Sequence, residues 1–144
     1  MKVEAMLSDK GQKVVTTQPD ATIATVVHML KLEGIGALVV SQDGKSIAGI
    51  ISERDIVRGL AEHGQDLMDM RVSELMTADV KTCGPEANVT EIMSEMTRSR
   101  FRHMPVIEGG ALCGIISIGD VVKNRLEELE TETSVLRDFI VGRS

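Results

Sequence analysis

The sequence is nearly without aromatic residues: it has two Phe and neither Tyr nor Trp in 144 residues. That scarcity excludes single-strand nucleic-acid binders, which stack bases on aromatic faces, and leaves no ring platform for sugars. Basic residues are also in deficit, 16 Lys and Arg against 22 Asp and Glu, for a formal charge of −6. Nucleic-acid affinity comes mainly from Lys and Arg on phosphates, so no nucleic-acid partner is expected. Long apolar runs are missing. Stretches such as Ala37 to Val40 and Gly114 to Ile116 fall far short of the roughly 20 residues that span a bilayer. The opening Met1-Lys2-Val3-Glu4-Ala5-Met6-Leu7-Ser8-Asp9 lacks the apolar stretch of a signal peptide, so no membrane partner is expected either. Cys83 and Cys113, the two cysteines, make neither a disulfide framework nor a Cys-x-x-Cys zinc site. A reducing cytoplasm is the expected compartment. What is present is 42% hydrophobic, enough to build one domain's core from Ile, Val, Leu, Ala and nine Met.

The chain also says one thing twice. Thr16-Thr17-Gln18-Pro19 returns as Thr82-Cys83-Gly84-Pro85, an offset of 66. Ile23, Val26, Val27 and Leu30 return 66 residues later as Val89, Ile92, Met93 and Met96. Gly49-Ile50-Ile51-Ser52 then returns unchanged as Gly114-Ile115-Ile116-Ser117, and Asp55 as Asp120, now at an offset of 65. The one-residue change falls in the turn Gln42-Asp43-Gly44-Lys45, against Glu108-Gly109-Gly110, and surface turns are where duplicated units drift.

Each copy predicts the order strand, helix, strand, strand, helix. The segment before the proline is extended. The i, i+3, i+4, i+7 apolar set is a helix with one buried face. Thr22 and Asn88 are good N-caps, and Glu91 can close a capping box on Asn88. Strands Ala37–Ser41 and Ile47–Ser52, and likewise His103–Ile107 and Ala111–Ser117, form hairpins around glycine turns. The second helices start at Glu53 and Ile118. Two units of about 50 residues each bury too little alone and should pack face to face. The expected divisions are 10–64, a connecting segment 65–79, 80–125, and a helical extension 126–144. Residues 1–12 lie outside the repeats, with room for one or two helical turns. In the extension, Val122, Leu126, Leu129, Thr133, Leu136 and Ile140 follow a 4, 3, 4, 3, 4 spacing, which is a heptad seam. It suits either a helix lying on its own domain or one that meets a second subunit.

Laid out this way, residues 10–125 resemble a tandem pair of CBS domains, the Bateman module. The resemblance rests on the Thr-x-x-Pro openings, on Arg102-His103-Met104-Pro105-Val106, on the two Gly-Ile-Ile-Ser-x-x-Asp endings, and on Leu75-Met76-Thr77 before the second copy. It implies an α/β fold of two β-α-β-β-α repeats with pseudo-two-fold symmetry plus a C-terminal helix. It also implies a regulatory binding module rather than an enzyme, with no catalytic cofactor. The expected ligand is an adenine nucleotide, AMP first, with ADP, ATP, NAD(H) and S-adenosylmethionine as the other candidates. In the similar γ subunit of AMP-activated protein kinase, the ribose-binding Asp of one motif works with the opening strand of the other. Carried over, one cleft would join Ser52, Arg54 and Asp55 to Val80, Lys81, Arg102, His103 and Met104. The other would join Ser117 and Asp120 to Val14, Val15, Ile35, Gly36 and Ala37. The resemblance further implies a homodimer and a regulated protein partner, whose identity the sequence does not give. An oligomeric adaptor without a nucleotide role is the alternative.

The chemistry of these residues admits two readings each. Asp55 and Asp120 stand three residues after Ser52 and Ser117, so both can simply close helix caps. An Asp aimed at a cleft can equally accept the two ribose hydroxyls. Arg98, Arg100, Arg102 and His103 form a basic cluster in an acidic chain, either a solvated helix end or a phosphate site with Arg as a bidentate fork. Arg102 and His103, adjacent in a strand, point to opposite faces, so at least one can face the cleft and hold phosphate; Arg98 and Arg100 read as surface charges. Arg54 has Gly119 as its counterpart, so the two clefts should differ in anion affinity. Val14, Val15, Ile35 and Val80 are core, or an aliphatic clamp on adenine. His28 and His63 read as exposed, and no nucleophile stands beside a base.

Overall fold

The computed structural model describes residues 1–11 and 14–142. Positions 12 and 13, in the expected opening of the first repeat, and 143 and 144, at the end of the expected extension, lie outside the described residues. The chain forms α1 (Val3–Lys10), β1 (Thr16–Thr17), α2 (Ile23–Glu33), β2 (Ala37–Val40), β3 (Gly49–Ser52), α3 (Glu53–His63), a 3-10 stretch Gly64–Asp69, α4 (Val72–Leu75), α5 (Val89–Ser99), β4 (His103–Glu108), β5 (Ala111–Ser117) and α6 (Ile118–Ile140). The architecture is the expected one: two mixed α/β repeats with a C-terminal helix.

The repeat is visible in the hydrogen bonds. In the first unit β2 pairs antiparallel with β3, Ala37 opposite Ser52; in the second β4 pairs with β5, His103 opposite Ser117. The helix that follows each hairpin is pinned the same way. Glu53 N–H donates to Gly36 O at 3.0 Å, and Ile118 N–H to Arg102 O at 2.8 Å. Each hairpin therefore fixes where its helix begins. The opening strands differ. β1 runs parallel to β2, but its counterpart reduces to one bridge, Cys83 to Val106. Cys83 N–H donates to Pro105 O, and Ile107 N–H to Cys83 O. The next rung would need an N–H at position 105, and proline has none.

The caps form where the side chains allow. Thr22 accepts from Thr25 N–H. Ser52 with Asp55 and Ser117 with Asp120 both close full capping boxes. Asn88 accepts from Thr90 N–H, two residues on, rather than in the expected box with Glu91.

Two hydrophobic cores result. One gathers Ile23, Val26, Leu30, Leu38, Val40, Ile51, Ile56, Leu67 and Val72. The other gathers Val89, Ile92, Met96, Met104, Val106, Ile116 and Val121 together with Val3, Met6 and Leu7 of α1. So α1, which precedes the first repeat, belongs to the core of the second, while α4, which precedes the second, belongs to the core of the first. The exchange is reciprocal down to single bonds. Val3 N–H donates to Ala87 O and Glu4 N–H to Pro85 O; Val72 N–H donates to Ala21 O and Ser73 N–H to Pro19 O. Last, α6 runs unbroken across the expected division at 125/126. No helix among the described residues is long and apolar enough to cross a membrane.

Candidate functional site

Between the two units lies a cavity of about 560 Å³, within the range of small-molecule sites. From the first unit come Gly36, Ile50 and the start of α3: Ser52, Glu53, Arg54, Asp55 and Arg58. From the connecting segment and second unit come Thr77, Asp79, Val80, Lys81 and the run from Ser99 to His103. Seven of the eight residues expected in this cleft are thus brought together: Ser52, Arg54, Asp55, Val80, Lys81, Arg102 and His103. The eighth, Met104, is 1% exposed and packs in the second core instead. β4 begins at His103, so Met104 alternates inward.

Asp55 closes its cap and also lines the cavity. Its Oδ2 accepts from Ser52 N–H at 2.9 Å and from Ser52 Oγ at 3.1 Å. Both bonds fall on one oxygen, which leaves Oδ1 to accept from a ligand at the cavity wall. Five cationic side chains line the cavity against three carboxylates, Glu53, Asp55 and Asp79, in a chain whose net charge is −6. Arg54 reaches across from α3 and donates to Arg100 O at 3.3 Å. Lys81 is held by Glu95 at 3.7 Å. His103 faces the Cα of Gly36 closely enough that a Cβ there would stand 3.4 Å from the imidazole. Burial, and then the Lys10 cation, push this imidazole below its ordinary value, so at neutral pH it is uncharged. The cavity's positive charge comes from its arginines and Lys81.

Several expectations change here. Arg102 and His103 do not point to opposite faces of one strand, because β4 starts at His103 and Arg102 lies in the loop before it. Both line the cavity. Arg100 is exposed, as expected of a surface charge, but it also lines the cavity and is the only non-glycine among the described residues with positive φ, 61°. Its counterpart in the first repeat is Gly34, with φ 65°. A left-handed non-glycine costs about 1 to 2 kcal/mol, and such outliers gather at functional sites. Arg58 was signalled only by its position one turn after Arg54. Phe101, one of the two aromatic residues, also lines the cavity, so a ring is available there after all. Arg98, His28 and His63 are exposed as expected. Burial pushes the Cys83 thiol up to about 11, which leaves it a protonated, packed side chain.

The second expected cleft is different. Val15 and Ile35 pack on the first core, Ala37 is buried in β2, Val14 is half-buried, and Gly36 belongs to the first cavity. At Ser117 and Asp120 the cap is formed, but the carboxylate is already engaged. Lys10, at the end of α1, places its Nζ 2.6 Å from Asp120 Oδ2 and donates to Ile115 O at 2.9 Å. Burial pushes the Asp120 carboxyl up, but the Lys10 and Ser117 hydrogen bonds outweigh it and hold it below its ordinary value. A second hollow of about 440 Å³ lies elsewhere, lined by Gln18, Pro19, Asp20, Gln42, Arg71 and Ser73, none of them expected in a site.

The CBS domain family matches residues 6–62 and 72–127. This chain belongs to the CBS-domain family. A CBS-domain-containing protein from Agrobacterium tumefaciens superposes with a TM-score of 0.84 at 42% identity, covering 87% of this chain and 99% of that one. The mitochondrial CBS domain-containing protein CBSX3 of Arabidopsis thaliana is 37% identical over 127 residues, 85% of this chain; the chain spans 62% of that relative's length. A CBS pair solved with 5′-methylthioadenosine and S-adenosyl-L-methionine shares the fold, with a TM-score of 0.78 at 21% identity, over 89% of this chain and 98% of that one. CBS pairs are regulatory modules that bind ligands such as nucleotides or S-adenosylmethionine.

Proposed function

We propose that this CBS pair senses an adenine nucleotide, AMP first among the candidates, in the cavity between its two units, and relays occupancy to a protein partner. The observation that carries this is the convergence of two chemistries from opposite sides of one cavity. The α3 start brings a carboxylate with a free oxygen, suited to ribose hydroxyls. Arg100 and Arg102 bring cations suited to phosphate. Val80, Ile50 and Phe101 supply apolar surface for a base. A ligand touching both units favours the arrangement in which they are closest, and a partner responds by as much as the ligand distinguishes the two states. Association as a homodimer belongs to the same proposal.

Ligand-induced thermal shift tests it. Saturating AMP, ADP or ATP should raise the unfolding midpoint by mass action, with S-adenosylmethionine as the competing arm. No shift with any adenosyl ligand would favour an adaptor without a nucleotide role. A shift with S-adenosylmethionine alone would move the assignment to that ligand.

Arg100 gives a second, independent handle. Arg100→Gly should stabilise the chain by about 0.5 to 1 kcal/mol, since glycine adopts left-handed φ without strain. The same change should weaken AMP binding, measured by calorimetric titration beside denaturant unfolding. A variant that gains stability and keeps full affinity would remove Arg100 from the phosphate site.

A further inference from the structure

The long helix α6 turns its leucines outward. The face packed on the molecule holds Val121 at 0% exposed, Asn124 at 6%, and half-buried Glu128. Asn124 donates to Met1 Sδ, and Glu128 accepts from the Met1 ammonium at 3.4 Å. The heptad seam lies roughly a third of a turn round the helix from that face, with Leu126, Leu136 and Ile140 at 56, 59 and 73% exposed. A helix lying on its own domain would show the reverse pattern. From 129 to 140 every residue is exposed, and a lone helix that short is not stable in water.

We propose that α6 pairs with α6 of a second copy of this chain as a parallel, in-register two-stranded coiled coil. Leu126, Thr133 and Ile140 take the a positions, and Val122, Leu129 and Leu136 the d positions. The flanking charges choose the direction. In parallel register Arg125, already 3.2 Å from its own Glu128, faces Glu130 of the second copy and Glu132 faces its Arg137, each pair formed twice and each attractive. An antiparallel pairing over the same seam sets Val122 against Ile140. It then brings Glu130 opposite Glu130, Glu132 opposite Glu132, and Lys123 opposite Arg137, all like-charged. Sliding the antiparallel pair by one heptad restores opposite charges, but leaves Leu136 and Ile140 facing Gly119 and strand β5. Only the parallel pairing covers the whole seam with matched charges.

This deepens the homodimer part of the proposed function and is independent of what the cavity binds. Sedimentation equilibrium of the full chain should show a dimer. Glu132→Arg should weaken it by roughly tenfold, as two attractive pairs become repulsive. Adding Arg137→Glu should restore it to within about threefold. Ile140→Cys, at an a position, should give a disulfide-linked dimer on mild oxidation that the unsubstituted chain, with its own Cys83 and Cys113, does not give. A chain that stays monomeric overturns both the pairing and the homodimer. A dimer indifferent to Glu132→Arg, or one that Ile140→Cys fails to link, overturns the parallel helix pair and leaves the homodimer standing. Loss of nucleotide binding alone touches neither.

Discussion

Leu7→Ala should lower the unfolding free energy by about 3 to 4 kcal/mol, the cost of removing a fully packed leucine. The expectation is large for so early a residue because α1 is core. Leu7 is 3% exposed among Val89, Ile92, Met104 and Ile116. Its methyl groups lie over Gly114, where a Cβ would stand 2.8 Å from Cδ2. Glycine there has no side chain that could move in and fill the space, so the cavity stays open. An eight-residue helix has no stability of its own; α1 exists because Val3, Met6 and Leu7 are buried, and the burial needs Leu7. Ser8→Ala on the exposed side of the same helix should change stability by less than about 0.5 kcal/mol. Denaturant unfolding of the two variants checks this. A Leu7→Ala chain as stable as the Ser8→Ala chain would mean that α1 decorates the second unit rather than completing it.

That role of α1 was almost invisible in the sequence, for a physical reason. The 66-residue offset aligned Ile23 with Val89 and exposed both helices and both hairpins, since the turns between them barely changed length. Just upstream, Lys2-Val3 corresponds to Arg71-Val72, an offset of 69. The three extra residues between α1 and the first opening strand break the alignment there. Two short, weakly apolar stretches out of register look like leader and linker. Their true relation, an exchange across the two units, is a long-range contact that no local spacing reports.

The site divides along the same line. Ser52, Asp55, Ser117 and Asp120 were legible because caps are local. Arg54, Lys81 and His103 followed from the repeat and the resemblance it allows. Arg102 followed from the same resemblance; the strand alternation that would divide it from His103 does not apply one residue before the strand begins. Arg100 was hidden because its functional mark is a backbone angle: it holds the left-handed position that Gly34 holds in the other copy. Phe101, too, was passed over, since scarcity of rings in a chain says nothing about where one ring sits. Lys10 lies 110 residues from Asp120, and only the fold brings them together.

Lys10 makes the two clefts unequal, and the inequality is measurable. Asp55→Ala should weaken AMP binding by about a hundredfold, the loss of two hydrogen bonds from ribose hydroxyls to a charged acceptor. Asp120→Ala should weaken it by less than about threefold, within the reach of indirect effects. Both substitutions remove the same capping box, and Asp120→Ala also gives up the Lys10 ion pair, so it is the more destabilising of the two and a smaller loss of binding from it belongs to the clefts. At Asp55 an oxygen is free and arginines stand on the far wall. At Asp120 the Lys10 ammonium already neutralises the carboxylate through Oδ2, and Gly119 stands where the first copy has Arg54. A nucleotide entering there would have to displace Lys10 from both Asp120 and Ile115 O. Isothermal titration of the two variants against the unsubstituted chain decides the matter. Equal losses would show that the second cleft binds as well as the first and that the Lys10 contact yields to ligand. Lys10→Ala would then raise affinity, because the nucleotide would no longer compete with it.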